Sequence, residues 1–388
     1  MNLRLGIACL AACAVTALVV AGVGCSKGYG GTGTVPIPSP SPSGTVGPDT
    51  IYVQNSNTIL AIRKYTNAAK ANGFELPAAR LDTGSVSNPD VVYDPVSDTM
   101  WFPEAGNPNT KILMWTGAST KNDENANVII PFPNGEGTAA FDPTHHLLFV
   151  GIDTGPQVSI FTNPETMGDT ATPAATITLT INDPTGNDRP QEMLYDPATD
   201  RLFVSDNGVA VAAFDNFGTN ALTATTQANP TPIPADRLMT GLFSPDGLAY
   251  APMPNDVLYV GEQRSPGDVV VIKGASTFNG PISHSQMISG LSKPGAMQYE
   301  NVRDLLFIYD FSIVYVLKNA LTIHGNINSL VANGTAHSIQ DGSSNGNTGF
   351  GLALVTDPIP PSPSPSPSIS PSPSPSPSAA ILIHHHRP

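Results

Sequence analysis

The chain is poor in charge, in basic residues and in cysteine. Only 12% of its 388 residues are charged, and 17 Lys and Arg face 31 Asp and Glu. Long amphipathic helices need charged outer faces, so this composition argues against a helical protein. Nucleic-acid binding needs clustered Lys and Arg to neutralise phosphates, and a formal net charge of −14 argues against that class of partner. The three cysteines are Cys9, Cys13 and Cys25. The first two lie in an apolar leader; with the leader removed Cys25 stands alone, and no intramolecular disulfide can form. The HExxH signature of zinc proteases and the CxxCH of haem attachment are missing. GYGGTG at Gly28–Gly33 has the GxGxxG spacing, but no strand precedes it and no helix follows, so it is not a dinucleotide site.

What the chain has is glycine (35), proline (39) and a repeated phrase. Aligned on an aromatic–Asp–Pro turn, it reads VVYDPVSDTMWF from Val91, AAFDPTHHLLFV from Ala139 and MLYDPATDRLFV from Met193. Two degenerate copies are LAYAPMPNDVLYV from Leu248 and MQYENVRDLLFI from Met297. The turn positions, Asp94, Asp142, Asp196, Ala251 and Glu300, are 48 to 55 residues apart, which suits one four-stranded propeller blade. Each copy continues into a third apolar run at Ile112, Val158, Val209, Val269 or Ile313. Small polar residues follow, and then a more polar fourth run at Asn127, Ala175, Ser285 or Ala336. Short β-branched and aromatic runs between turn signals favour strands. Asp before Pro starts the hairpin turn by accepting nearby backbone N–H groups, so the turn acids read as structural. The aromatic before each turn position, Tyr93, Phe141, Tyr195, Tyr250 or Tyr299, reads as inter-blade packing.

The two ends complete the count. Asp49–Arg63 supplies the second and third strands of a repeat without its first; Gly351–Pro358 supplies a first strand and stops. The prediction is an all-β fold, a six-bladed β-propeller of four-stranded blades, with the first blade completed by the C-terminal strand. Such closure leaves no open blade edge. The boundaries are a leader at 1–24, a Gly/Pro/Ser-rich linker at 25–48, the propeller at 49–358 and a Pro-Ser tail at 359–388. The linker and tail cannot bury enough apolar area to offset ordering, and alternating Pro-Ser is polyproline-like. His384–His386 end the tail without an assigned role.

The leader has Arg4, an apolar stretch Leu5–Val23, and Gly24 before Cys25. It resembles a bacterial lipoprotein signal, which implies that Cys25 is lipidated and becomes the first mature residue. The family pattern prefers Leu where this chain has Gly22. Ordinary cleavage nearby and an uncleaved anchor helix are the alternatives. The resemblance implies a lipid-anchored protein of the cell envelope, facing outside the cytoplasm.

The blade lead-ins NPDVVYDP at Asn88, SPDGLAY at Ser244 and KPGAMQY at Lys293, with their LFV-like and VSIF-like strands, resemble the NHL and YVTN classes of β-propeller. That resemblance covers about 49–358 and implies an architecture rather than a chemistry. In a propeller, the lead-in to the first strand and the loop between second and third strands share one face. Asp90, Glu136, Glu192 and Asp246 fall on that face from the lead-ins; Glu104, Asp153, Asp206, Glu262 and Asp310 fall there from the other loops. Acids converging on a channel mouth repel one another, which a hard divalent cation such as Ca²⁺ would relieve. Similarity to the gluconolactonase family implies a metal held at such a mouth by Glu192 and Asp246 with Asn88 and Asn207, activating water. The competing reading is that Asp and Asn are common in turns for local hydrogen-bonding reasons. The leading expectation is therefore a non-enzymatic binding or scaffold module without a cofactor, taking a protein or glycan on one face. A metal-dependent lactonase is the alternative.

Overall fold

Blade 4 shows how one repeat is built. Pro190–Asp196 pairs antiparallel with Arg201–Asp206, that strand with Ala210–Asp215, and that one with Arg237–Thr240. Asp196 starts the first hairpin, accepting the Ala198 N–H at 3.2 Å and the Thr199 hydroxyl at 2.5 Å. Asp200 ends it in the left-handed region (φ 51°), a conformation Asp tolerates because its side chain bonds locally. A residue one or two places after the third strand is again left-handed in every blade: Asn67, Gly117, Asn163, Asn216, Gly274 and Asn319, with φ between 48° and 67°. Each of the six is Asn or Gly, the residue types for which φ > 0 costs least.

In this computed structural model the described residues are 50–55, 61–83, 90–104, 110–132, 135–152, 155–186, 188–206, 208–340 and 349–355. They form six separate sheets arranged in a ring, a six-bladed β-propeller. The innermost strands of blades 1 to 6 are Gly349–Val355, Val92–Asp94, Gly135–Asp142, Pro190–Asp196, Pro245–Ala251 and Pro294–Glu300. The ring closes as the sequence predicts. Gly349–Val355 pairs antiparallel with Thr50–Asn55, setting Leu354 opposite Ile51, Ala353 opposite Tyr52 and Leu352 opposite Val53.

The blades are held together by a repeated aromatic contact. The central aromatic of one blade's second strand meets the aromatic before the turn of the next blade. The pairs are Tyr52–Tyr93, Trp101–Phe141, Phe149–Tyr195, Phe203–Tyr250 and Tyr259–Tyr299, with ring centroids 5.0 to 6.0 Å apart. Such pairs contribute on the order of 1 kcal/mol each beyond the area they bury. The pattern explains why every repeat carries an aromatic at these two places, except where Leu354 stands in blade 1. Trp101 and Trp115 are fully buried, their indole N–H groups donating to the carbonyls of Pro164 and Glu124, both at 3.2 Å.

Two features differ from the prediction. First, five of the six sheets carry a fifth strand. Two residues from the next blade lie parallel to each outer strand, as where Ile233 faces Leu179, Gly280 faces Met239 and Gly325 faces Ile288. Gly73–Phe74 of blade 1 does the same for blade 6, so the last blade is joined to the first at the rim as well as at the hub. The physical reason is edge protection, since an unpaired outer strand offers free N–H and C=O groups. Second, the connections after the third strands of blades 4 and 6 hold the helices Phe217–Ala224 and Ile327–Ala332. Phe217, Ala221 and Ala224 pack into the core between blades 3 and 4.

Candidate functional site

The lead-ins to the first strands carry β-bulges, seen as register shifts between Pro190 and Glu192 and between Pro245 and Leu248. These irregularities turn acidic side chains inward. Asp90, Glu192 and Asp246, from blades 2, 4 and 5, are all more than nine-tenths buried and act on one another electrostatically. Asp90 accepts the Thr138 hydroxyl at 3.1 Å and the Ala139 N–H at 3.2 Å, both from blade 3. Glu192 hydrogen-bonds to Asp90 and accepts the Leu248 N–H of blade 5. Burial raises both carboxyls above the usual range, and Glu192 is raised further by the charges of Asp90 and Asp246. A hydrogen bond between two carboxyls requires a proton, which belongs to the pair. Burial, reinforced by Asp90, pushes Asp246 up to about 7, against the opposing pull of Lys293 and Gln191. Its Oδ2 is buried with no hydrogen-bond partner among the described residues.

Asp90 and Glu192 line one end of a cavity of about 350 Å³. Its walls include Val92, Ala140, Leu194, Gln298 and Ala353, and its other end is lined by Pro95, Val96, Pro143 and Pro197 from the first hairpins. The cavity is thus walled mainly by apolar side chains, with the Asp90 and Glu192 carboxyls at one end.

The remaining described acids have partners of their own on the loop face. Glu104 pairs with Lys111 at 3.1 Å. Asp310 accepts the Ser292 N–H at 2.9 Å and the Lys293 N–H at 2.6 Å, fixing the lead-in to blade 6. Glu262 does the same for blade 5 through the Phe243 N–H at 2.9 Å. Glu262 also holds His284 Nε2 at 2.9 Å and Arg264 Nε at 3.4 Å. Phe243, half exposed, sits between the Arg264 guanidinium (4.7 Å) and the His284 ring (5.5 Å). That group was not legible in the sequence, because Phe243, Glu262, Arg264 and His284 belong to three different loops. Asp206 accepts the N–H groups of Gly208 and Ala210, both at 3.0 Å. Asn88, Asn207, Asp153 and the side chain of Glu136 lie outside the described residues, as do Cys25, the leader, the linker 25–48 and the tail. So does GSSNG at Gly342–Gly346, which has the GxSxG spacing of a hydrolase nucleophile elbow.

No protein-family model and no curated protein sequence matches the chain. Among solved structures it is similar to a chain in a crystal structure of a nidogen/laminin complex, at 13% identity and a TM-score of 0.49. That match covers 79% of this chain and 97% of the other. It is also similar to a chain in a mitotic checkpoint complex, at 12% identity and a TM-score of 0.40, covering 61% of this chain and 64% of that one.

Proposed function

We propose that the chain is a lipid-anchored β-propeller of the NHL/YVTN kind, held outside the cytoplasm through Cys25. In this reading it acts as a non-enzymatic binding or scaffold module at the cell envelope. The observation that carries the binding role is on the first-hairpin face. Val96 is 90% exposed, Val302 71% and Met253 59%. They sit at the same hairpin in blades 2, 6 and 5, on the face where Pro95, Pro143 and Pro197 rim the axial cavity. Exposed apolar groups repeated around one opening fit a protein partner better than a glycan. The formal net charge of −14 disfavours an anionic ligand.

A triple Val96→Ser, Met253→Ser, Val302→Ser variant tests the binding role. It should keep its unfolding midpoint, because these side chains contact little, and should lose the partner that the parent cross-links on intact cells. Retention of every cross-linked partner would remove the reading. Radiolabelled fatty acid should enter the parent and not Cys25→Ala; equal labelling, or none in either, would remove the anchor.

The second reading, a metal-dependent lactonase, draws on Glu192 and Asp246, which are buried together, with Asp246 Oδ2 lacking a hydrogen-bond partner among the described residues. Hydrolysis of a lactone panel that requires added Ca²⁺ and disappears in Glu192→Gln would favour it over the first.

A further inference from the structure

A second group of acids lies where the connection from blade 3 to blade 4 passes the second hairpin of blade 4. Asp183 and Asp188 come from that connection and Asp206 from the end of the strand Arg201–Asp206. Each offers one carboxylate oxygen, and these oxygens lie within 4.8 Å of one another. Asp206 is fully buried. Its Oδ1 is occupied by the Gly208 and Ala210 N–H groups, while its Oδ2 is buried with no hydrogen-bond partner among the described residues. Asp183 Oδ2 accepts the Thr185 N–H at 2.9 Å, and an Asp188 oxygen accepts the Asp183 N–H at 2.8 Å. The hairpin closes on these acids only because residue 208 is Gly; a Cβ there would overlap Asp183 Oδ2 and lie 2.6 Å from Thr185 Oγ1.

The molecule contains a comparable group that serves as a control. Asp142, His145 and Asp200 also bring three ligand-type atoms together. There, every carboxylate oxygen has a donor. Asp142 takes the Thr144 and His145 N–H groups and the His145 ring nitrogen; Asp200 takes the Tyr195 hydroxyl and donors from Gly218 and Thr219. At Asp206 the buried oxygen lacks one. A buried carboxylate oxygen without a donor bears its full desolvation penalty, and two neighbouring carboxylates add to it. Burial, with the charges of Asp183 and Asp188, pushes Asp206 up to about 7.

We propose that Asp183, Asp188 and Asp206 together bind one hard divalent cation, of which Ca²⁺ is the best fit. The donor set is carboxylate oxygen only, with no thiolate or imidazole, which suits Ca²⁺ rather than zinc or copper. The bound ion supplies the positive charge that Asp206 Oδ2 lacks. It also ties the inter-blade connection to the next blade's hairpin. This site is separate from the axial acids and does not depend on the binding role proposed above.

Isothermal titration of Ca²⁺ into the chelator-treated full chain in detergent tests the proposal, read alongside the unfolding midpoint. The expected result is one Ca²⁺ per chain and a raised midpoint. Asp206→Asn should weaken binding at least about tenfold. Because Asp206 also holds its own hairpin, Asp188→Asn, at a half-buried position, is the deciding variant should the first fail to fold, and it should lose binding to a similar degree. Glu124→Gln, at an exposed acid paired with Lys121, should leave binding unchanged. Absence of binding by the parent, undiminished binding by Asp188→Asn, or equal loss in Glu124→Gln would each overturn the assignment.

Discussion

The acids at the first hairpins and the acids in the interior of the loop face are the same residue types in opposite circumstances. At the hairpins each carboxylate is surrounded by donors. Asp94 accepts the Val96 and Ser97 N–H groups at 3.0 Å and the Ser97 hydroxyl at 2.6 Å. Glu300, replacing Asp at that place, reaches the Val302 and Arg303 N–H groups at 2.8 and 2.9 Å with its longer side chain. In the interior, Glu192 must share a proton with Asp90, and one oxygen each of Asp246 and Asp206 has no described donor. The difference teaches that an acid's role follows from the donors that the backbone delivers to it, and not from its frequency in turns. Hairpin acids stabilise the ring. Interior acids strain it, and are the ones with capacity left for a proton or an ion.

The sharpest way to break this contrast is to remove a hairpin acid. Asp256 accepts the Tyr250 hydroxyl at 2.8 Å, the Ser276 N–H at 2.8 Å and the Ser276 hydroxyl at 2.6 Å, from a left-handed backbone (φ 52°). Asp256→Ala strands buried donors and places a Cβ without compensation at φ > 0. The expected loss is about 3 kcal/mol or more, read from urea unfolding with the slope unchanged. Asp256→Asn, which keeps an acceptor and tolerates that backbone, should recover most of it. A loss below about 1 kcal/mol for Asp256→Ala would show that the hairpin acids do not support the ring.

The interior acids predict the opposite sign. Asp246 has a folded pKa of about 7, above its unfolded value. Between roughly pH 4, the ordinary Asp range, and the folded value, the folded chain holds more protons than the unfolded one. Stability should therefore fall as pH rises through that window, and level off above it. Asp246→Asn should flatten the profile and make the chain more stable than its parent at pH 8, by about 2 kcal/mol. The measurement is the urea midpoint of both proteins from pH 5 to pH 8. A parent profile that rises over this range would put the carboxylates of the interior in the same class as those of the hairpins.

Much of this architecture was legible because it rests on local chemistry. The Asp-Pro turns, the Asn or Gly after each third strand and the paired aromatics each recur at fixed offsets, so the blades and the strand exchange at Gly351 could be read from spacing. The fifth strands could not. Ile233-Pro234 or Gly325-Asn326 show no periodicity in two residues, and their partners lie in the neighbouring blade. The site was half legible. The sequence placed Asp90, Glu192, Asp246 and Asp206 on one face. It could not tell that bulges at the lead-ins of Glu192 and Asp246 help bring these two together with Asp90, while Asp310 and Glu262 bend back to hold lead-ins. Asp183 and Asp188 are close in sequence, yet the third member of their group lies in the next blade's hairpin, so no local spacing announces it.

Blade 3 offers the finest test of the donor rule, because it solves the hairpin problem with the roles reversed. Where blades 2, 4, 5 and 6 join a Tyr hydroxyl to a left-handed Asp (2.8 to 3.1 Å), blade 3 has Phe141 and a left-handed His146. Where blades 2 and 5 place Ser119 and Ser276 as donors to that Asp, blade 3 has Glu165 as an acceptor, bonded to His146 Nδ1. The loss of the phenol, the change of acid to base and the change of donor to acid are one coordinated exchange. His146→Asp alone sets two carboxylates together and should destabilise; Glu165→Ser added to it should restore the loss, and Phe141→Tyr should complete the arrangement found elsewhere. The coupling should be small, about 0.5 to 1 kcal/mol, since the His146 side chain is largely exposed and such pairs are screened. Glu165 raises the His146 pKa. Its contribution is therefore full below the ordinary His pKa and is lost as pH rises through the folded value. A double-mutant cycle repeated at pH 5 and pH 9 should find the coupling at the lower pH only; an equal coupling at both would mean that shape, and not the exchange of donor for acceptor, maintains this hairpin.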